Sequence, residues 1–467
     1  MKKVFVSGNF FVLHPGHVRL LRFAKNSGDK LYVGVNDTRP SKNYPSTKER
    51  AETLRELGIV DEVIILVGGL EPHLIKIKPD LVIKGQEYET ARNSEEEILK
   101  NWDGKILFTS GDSVYSGTDL LRDSTPEDSE IWHQPKDYIK RHHCHRDNLL
   151  PIVDKFKSIK VLVIGDLILD EYIQCEALGM SREDPTLVIA PQETKRYLGG
   201  AGIVAAHCKG LGAEVDFLSV VGEDECYAWA KKNLAEYGVN ATFLHDSSRQ
   251  TTLKQRYRVA QKTIMRVSHL QQHEISKELQ DKIYKKIEKK INKLNLIIFS
   301  DFNYGVLPQA LVDKLIKLGK KNNVLMAADS QTSSQIGDIT RFTGVDLITP
   351  TEHEVRVSLR ESSVGLHKLA EELIVKCGFK LAVITLGEAG CLILNNETIL
   401  DRLPAINYSS IDVSGAGDSM LAGISLSLAV DANALQATYI GAIISAVQIS
   451  RVGNIPIKIE EIKNALF

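Results

Sequence analysis

The sequence predicts an α/β protein made of two units in tandem. Three observations carry this. Short apolar runs alternate with helical periodicity from residue 1 to about 122. A polar, proline-containing stretch follows. A second strand–helix series opens at Val161 and runs to the end. The chain has 467 residues, with 43% hydrophobic and 25% charged, enough for two cores.

In the first series, Lys3–Ser7 reads as a strand ending at Gly8, and a helix starts near Gly16. Strands at Leu31–Val35, Val63–Leu66 and Leu81–Ile83 follow, with a helix at Lys48–Leu57 between the first two. This order implies a parallel sheet with both faces covered. Pro126, Pro135 and Pro151 punctuate a charged stretch, so residues 126–158 read as a connector between units 1–125 and 159–467. In the second series, strands are expected at Val161–Ile164, Leu296–Ser300, Val324–Ala328, Leu347–Ile348 and Leu381–Thr385. Helix dominates from Gly415 to Ser450. The series Ala422–Val447 is interrupted by Asp431 and Asn433, which favours a buried helix pair over a membrane span.

Composition excludes some classes. With 58 basic and 60 acidic residues the formal net charge is -2, so no global field favours nucleic acid or an anionic membrane. MKKVFVSGNF alternates as a strand does and lacks a signal-peptide apolar region, so a cytoplasmic location is expected. The six cysteines form no CxxC pair and read as reduced. His142-His143-Cys144-His145 is spaced too tightly for a four-ligand zinc site and reads as a solvated connector. The lysine-rich run Asp281–Lys293 carries charge on several faces and is expected at the surface.

Two segments carry chemistry. Gly8-Asn9-Phe10-Phe11-Val12-Leu13-His14-Pro15-Gly16-His17 leaves a strand and enters a helix. Backbone N–H groups at such a helix start hold phosphate oxygens, and Gly16 lets the backbone approach closely. His14 and His17 then either steady charge on an α-phosphate or merely cap and pack the helix. In the second half, Asp412-Val413-Ser414-Gly415-Ala416-Gly417-Asp418 places glycines ahead of a helix. The amides of Gly415, Ala416 and Gly417 are expected to form an anion hole. Asp418 lies in the first helical turn, placed to accept a proton from an attacking hydroxyl.

The first segment resembles the HxGH signature of the cytidylyltransferase-like nucleotidyltransferases. Gly34-Val35-Asn36-Asp37, Lys48-Glu49-Arg50, Asp80–Gly85 and Ser116-Gly117-Thr118 match further motifs of that family in order. The resemblance implies a Rossmann-like fold that joins an NTP, ATP or CTP, to a phosphorylated alcohol or sugar and releases pyrophosphate. It also implies nucleotide contacts from Gly8, Asn9, Phe10, Gly16, Arg50, Ser116 and Thr118, with His14, His17 and Lys84 in catalytic roles. Phe11 departs from the pattern, because it stands where the family has an acid.

The second segment resembles the DTxGAGD signature of the PfkB, or ribokinase, carbohydrate kinases. Gly199-Gly200-Ala201-Gly202, Thr351-Glu352-His353-Glu354 and Thr385-Leu386-Gly387-Glu388-Ala389-Gly390 match its other motifs. Gly165–Tyr172, Ser181–Pro185 and Ser300–Gly305 are similar to segments of the heptose-phosphate kinases. The resemblance implies a ribokinase-like fold with a small β-lid, often dimeric through that lid. Implied roles follow the motifs. Asp418 is the base, and Thr385, Gly387 and Gly390 contact ATP. Glu354 organises Mg²⁺ through water, and Asp166, Asp170, Gly199 and Gly200 hold the sugar. Two positions depart from the motifs: Ile203 and Thr351 each replace an asparagine. Lys254, Arg256, Arg258 and Arg266 either bind a substrate phosphate or are surface charges on the lid. Both activities occur on one chain in bifunctional heptose enzymes. Here the transferase-like half comes first, the reverse of the familiar order. The expected function is phosphorylation of a heptose 7-phosphate at its anomeric hydroxyl, followed by nucleotidyl transfer. The alternative is a kinase for another sugar or polyol, with the first half a nucleotide-binding regulatory module.

Overall fold

The computed structural model describes residues 2–11, 13, 15–38, 45–85, 95–109, 134–181, 183–184, 186–260, 262–332, 337–362, 364–407 and 410–466. It divides into two compact units, the first chiefly Met1–Ser129 and the second chiefly Glu130–Phe467.

The first unit is a parallel sheet of β1 (Lys3–Gly8), β2 (Lys30–Asn36), β3 (Glu62–Leu66), β4 (Leu81–Gly85) and β5 (Lys105–Thr109). Their order is β3-β2-β1-β4-β5, so the chain reverses direction across the sheet between β1 and β4. A crevice opens beyond the carboxyl ends of two such strands. Gly8 ends β1 and Gly85 ends β4, so Gly8, Asn9 and Lys84 lie at that switch point. Apolar residues cover both faces. Val6, Val33 and Leu54 belong to one cluster, and Phe5, Leu74 and Val82 to the other. The helix Thr47–Glu56 starts on a capping box in which Ser46 and Glu49 satisfy each other's backbone amides.

The second unit is built on β6 (Lys160–Gly165), β7 (Leu167–Met180), β8 (Leu187–Gly200), β9 (Glu214–Val221), β10 (Asn240–His245), β11 (Thr252–Val259) and β12 (Lys262–His269). It continues with β13 (Leu296–Asp301), β14 (Leu325–Ser330), β15 (Leu347–Ile348), β16 (Leu381–Thr385), β17 (Cys391–Asn395) and β18 (Ile399–Leu403). The main sheet runs β10-β9-β6-β13-β14-β15-β16-β17-β18, parallel up to β16 and antiparallel at β17 and β18. β6 and β13 are buried on both faces, which explains their unbroken apolar runs. A separate four-stranded sheet, β12-β11-β7-β8, forms the lid.

Two helices, Ala416–Ala429 and Ala434–Ile449, are apolar on nearly all sides because they are buried together. A Cβ at Gly423 would fall 2.5 Å from Ile444, and one at Gly441 2.4 Å from Ile424, so glycine sets their close approach. No helix among the described residues is long and apolar enough to cross a membrane.

The structure corrects the expected connector, residues 126–158, of which 126–133 lie outside the described residues. Residues 134–158 are not a solvated connector. They form helices Lys136–Arg141 and Arg146–Asp154 and a 3-10 turn, Lys155–Ser158, that pack into the second unit's core. Tyr138, Cys144, Leu149, Val153 and Phe156 are all buried. Pro151 sits inside the second helix, and the polar residues lie on its outer side. His142 is held by Asp401 at 2.5 Å, and Arg141 reaches the same carboxylate at 2.7 Å. The lysine-rich helix, Lys277–Glu288, also has an inner side, because Ile283 and Ile287 are buried while its lysines are exposed.

Candidate functional site

In the second unit, a cavity of about 490 Å³ opens where the lid meets the carboxyl end of the main sheet. Gly415 caps the helix Ala416–Ala429 with φ 76°, and a Cβ there would strike Asn454 Oδ1 at 2.4 Å. Only glycine fits this approach. Gly415, Ala416, Gly417 and Asp418 all line the cavity. The expected anion hole is altered at one position, because the Ala416 N–H already donates to the Val413 carbonyl at 3.3 Å. The residue closing a turn spends its amide on that turn.

Asp418 is 6% exposed, and its Oδ1 has no hydrogen-bond partner among the described residues. Burial pushes its carboxyl up to about 7, with the Asp170 and Glu354 charges adding to the rise and Lys254 opposing it. Such a carboxyl is half ionised near neutrality, as a general base needs.

Thr385, Gly387 and Gly390 line the same cavity, so the structure unites the two glycine turns that lie far apart in sequence. Gly390 has φ 88°, and a Cβ would meet the Leu403 carbonyl at 2.0 Å. Asp170, Gly200 and Arg256 also line it, and Arg256 reaches Asp170 at 3.6 Å. Gly199 lies against Asp170, where a Cβ would be 2.3 Å from its Oδ2. Arg258 does not line the cavity; its guanidinium lies 5.2 Å from the Tyr172 ring.

Asp166 departs from its expected role. Its carboxylate faces inward and accepts the backbone amides of Phe302 at 2.8 Å and of Tyr304 and Val306 at 3.4 Å. It therefore shapes the turn after β13 rather than the cavity wall. Glu354 is also committed, accepting the amides of Thr332 at 2.9 Å and Thr351 at 2.7 Å. Thr351 caps the helix Glu352–Leu359 and lines the cavity. Threonine serves as an N-cap much as asparagine does, so this departure leaves the local fold intact. Ile203 is fully buried in the core, so its replacement of asparagine does not act at the cavity wall.

Lys254, which the sequence offered as a phosphate ligand or a lid charge, lines the cavity, and so do Gln331 and Asn454, which had no motif to announce them. Lys254 lies 4.8 Å from the Phe302 ring and projects into the cavity from β11. Asn454 donates to Asp170 at 3.4 Å, and Gln331 donates to Asp329 at 2.9 Å. Asp329 is buried at the carboxyl end of β14, and burial next to Glu354 and Asp418 drives its carboxyl well up. Its place at the end of a parallel strand was the available signal. No three acidic, histidine or cysteine side chains converge as a metal cage among the described residues.

In the first unit, His14, Ser116 and Thr118 lie outside the described residues, and so do Arg182 and Pro185 of the second. Gly16 lies in the first turn of the helix Pro15–Asn26. His17, on the same helix, meets the Phe10 ring edge-on, with centroids 5.1 Å apart. Phe10 takes φ 48°, rare for a large side chain, and folds back over Gly8, where a Cβ would lie 3.1 Å from its ring. Asn9 accepts from Asn36 at 2.9 Å.

Arg50 is buried. It donates to the carbonyls of Asn9 and, at 2.7 Å, Thr38, and it stacks 4.7 Å from the Phe11 ring. Phe11 thus holds the loop by stacking where the family pattern has an acid. Arg50 ties the loop after β1 to the loop after β2, which differs from a direct nucleotide contact. Lys84 pairs with Glu95 at 2.7 Å, so an incoming phosphate has a carboxylate to displace.

Comparison with known proteins fits this geometry. Residues 158–461 match the model of the pfkB family carbohydrate kinases, and residues 5–120 match the cytidylyltransferase-like model. A bifunctional protein HldE of Campylobacter jejuni subsp. doylei is 30% identical over 65% of this chain and 64% of its own. Another, from Paramagnetospirillum magneticum, is 27% identical over 65% of this chain and 62% of its own. The chain thus spans 62–64% of the length of these relatives. Arabidopsis thaliana ribokinase complexed with ribose and ATP superposes with a TM-score of 0.53 at 15% identity, over 66% of this chain and 98% of that one. That likeness establishes the fold of the second unit.

Proposed function

Because the chain belongs to the pfkB family of carbohydrate kinases, we propose that it moves the γ-phosphoryl group of ATP onto a sugar phosphate. The leading acceptor is the anomeric hydroxyl of a heptose 7-phosphate. The first unit then joins the resulting sugar 1-phosphate to a nucleotide. The carrying observation is Asp418, a buried carboxyl raised to about 7 beside the Gly415 and Gly417 amides in one cavity.

In the kinase step the acceptor oxygen attacks the γ-phosphorus, Asp418 takes the hydroxyl proton, and ADP leaves with the bridging oxygen. The Gly415 and Gly417 amides face the charge that grows on the transferred group. Lys254, Arg256 and Asp170 hold the acceptor on the lid side, and Thr385, Gly387 and Gly390 hold the nucleotide. The residues present fit a magnesium ion arriving with ATP. Asp329 Oδ1 and Asp418 Oδ1 are buried without hydrogen-bond partners among the described residues, and like-charge repulsion helps raise both groups. When bound, that ion neutralises charge on the phosphates. Because Glu354 is bonded to two amides, its proposed part is to hold Thr332 and Thr351 in place beside the ion.

In the transfer step an oxygen of the sugar 1-phosphate attacks the α-phosphorus of ATP or CTP, and pyrophosphate leaves. His14 and His17 steady the α-phosphate, and Lys84 leaves Glu95 for the nucleotide. A second reading has a specific motive. Arg50 and Lys84 are both engaged internally, and Phe11 replaces an acid, which suits a first unit that binds nucleotide without turnover.

The test uses the full chain with ATP, magnesium and a panel of sugar and polyol phosphates. ADP release identifies the acceptor, and Asp418→Asn is expected to lower kcat by about 10²–10⁴ with a smaller change in affinity. Near-wild-type kcat in that variant removes Asp418 as base. Pyrophosphate release on adding CTP or more ATP, abolished by His17→Ala, excludes the regulatory reading. A homodimer through the lid belongs to this proposal, supported by Leu178, Met180 and Met265, which the lid strands leave exposed. Light scattering measures it. The proposed setting is the cytoplasm.

A further inference from the structure

Tyr172 lies on β7, two residues beyond Asp170, and is 6% exposed. Its hydroxyl lies 3.1 Å from Asp412 Oδ2 and 3.0 Å from Ser414 Oγ. Both belong to the loop that leads into the Gly415–Gly417 turn. The ring is flanked by the guanidinium groups of Arg256 at 5.4 Å and Arg258 at 5.2 Å, and Tyr197 meets it edge-on at 5.1 Å. Tyr172 therefore joins β7 of the lid, beside the basic strand β11, to the loop before the glycine turn through a polar bond.

The loop on the far side is held from several directions. Asp412 accepts the Ser414 amide at 3.1 Å through Oδ1 and the Gly453 amide at 3.0 Å through Oδ2. Gln448, fully buried, donates to the Ser414 carbonyl at 3.4 Å and the Gly453 carbonyl at 2.9 Å. The Ser414 carbonyl and the Gly415 N–H belong to one trans peptide plane and point opposite ways. Fixing that carbonyl toward Gln448 aims the Gly415 N–H the other way, and Gly415 lines the cavity.

We infer that Tyr172 is a positioning residue that latches the lid to the anion-hole loop and so sets the distance between acceptor and phosphoryl group. The inference rests on the kinase reading above. In-line transfer needs the reacting atoms about 3–3.5 Å apart, and a 1 Å misplacement costs up to about a hundredfold in rate. The lid holds the acceptor and the loop holds the phosphoryl group, so a direct bond between them fixes that gap. The hydroxyl carries this role, while the ring serves packing.

The test compares wild type with Tyr172→Phe, which keeps the ring and removes the oxygen. With the sugar phosphate that wild type turns over, kcat is expected to fall about ten- to a hundredfold, KM to stay within about threefold, and the melting temperature to hold. Amide hydrogen exchange across residues 410–418 is expected to quicken in the variant. This readout needs no sugar. If wild type phosphorylates nothing in the panel, the kinase reading fails and exchange alone decides the latch. Wild-type kcat, or wild-type exchange in that segment, overturns it. A fall in kcat matched by a rise in KM and a lower melting point marks a merely structural tyrosine and also overturns it. If Tyr172→Phe does not fold, Asp412→Asn reads the same bond from the loop side, with the same expected loss of kcat.

Discussion

Asp418 joins residue chemistry to a measurable pH dependence. Its carboxyl is raised to about 7, and only the ionised form accepts a proton. The kinase kcat/KM is therefore expected to be level above about pH 7 and to fall about tenfold per unit below it. Lys254 opposes the rise, so Lys254→Met is expected to move the break to higher pH. A pH–rate profile of the two proteins checks both. A break near pH 4 would mean that the carboxyl is ionised throughout and that some other group limits the rate. Single residues were also where the sequence was most and least informative. Gly415 and Gly390 were legible because a left-handed backbone and a close neighbour, the Asn454 side chain at Gly415 and the Leu403 carbonyl at Gly390, leave glycine no substitute. Asp166 was not, because an acid after a strand reads alike whether it faces a cavity or caps a turn. Only the three amides it accepts separate the two.

At the scale of elements, strands buried on both faces announce themselves by unbroken apolar runs, and so β6, β13 and β16 were legible. The lid was implied only by the family resemblance, since its pairing of β7 with β11 joins distant segments. The helices of residues 134–158 were missed for a related reason. Their polar outer faces dominate the composition, and their few apolar positions bury against strands and helices far along the chain. Tyr138, for instance, donates to the Leu435 carbonyl at 2.9 Å. This placement predicts where the kinase unit begins. Phe156 is fully buried, so Phe156→Ala is expected to destabilise the second unit by about 3–5 kcal/mol. Urea denaturation measures the loss. A fragment of residues 130–467 is expected to fold, whereas one of residues 159–467 is expected to melt far lower or to aggregate. Equal stability of the two fragments would show that the helices only decorate the unit.

At the scale of the whole molecule, the second unit buries acids that its substrates would compensate. Burial raises Asp301 and Asp418 each to about 7, and it raises Asp166, Asp170 and Asp329 as well. A raised carboxyl binds more protons folded than unfolded, so stability falls as pH rises. The contribution of Asp301 and Asp418 is complete below their unfolded value of 3.8 and is lost as pH climbs through about 7. His207 works the other way. Burial lowers it from 6.5 to about 3, so its neutral folded form costs stability as pH drops below 6.5. Two carboxyls outweigh one imidazole between pH 6 and 8. The unliganded protein is therefore expected to melt at a higher temperature at pH 6 than at pH 8. On the proposed reading, the magnesium ion carried by ATP would lie near Asp329 and Asp418 and lower their proton affinity, so ATP with magnesium is expected to stabilise more at pH 8 and to narrow the gap. Thermal scans at both pH values, with and without the nucleotide, measure this. A gap that ligand leaves unchanged would mean that the raised acids lie outside the nucleotide's reach, and the cavity would then need another occupant.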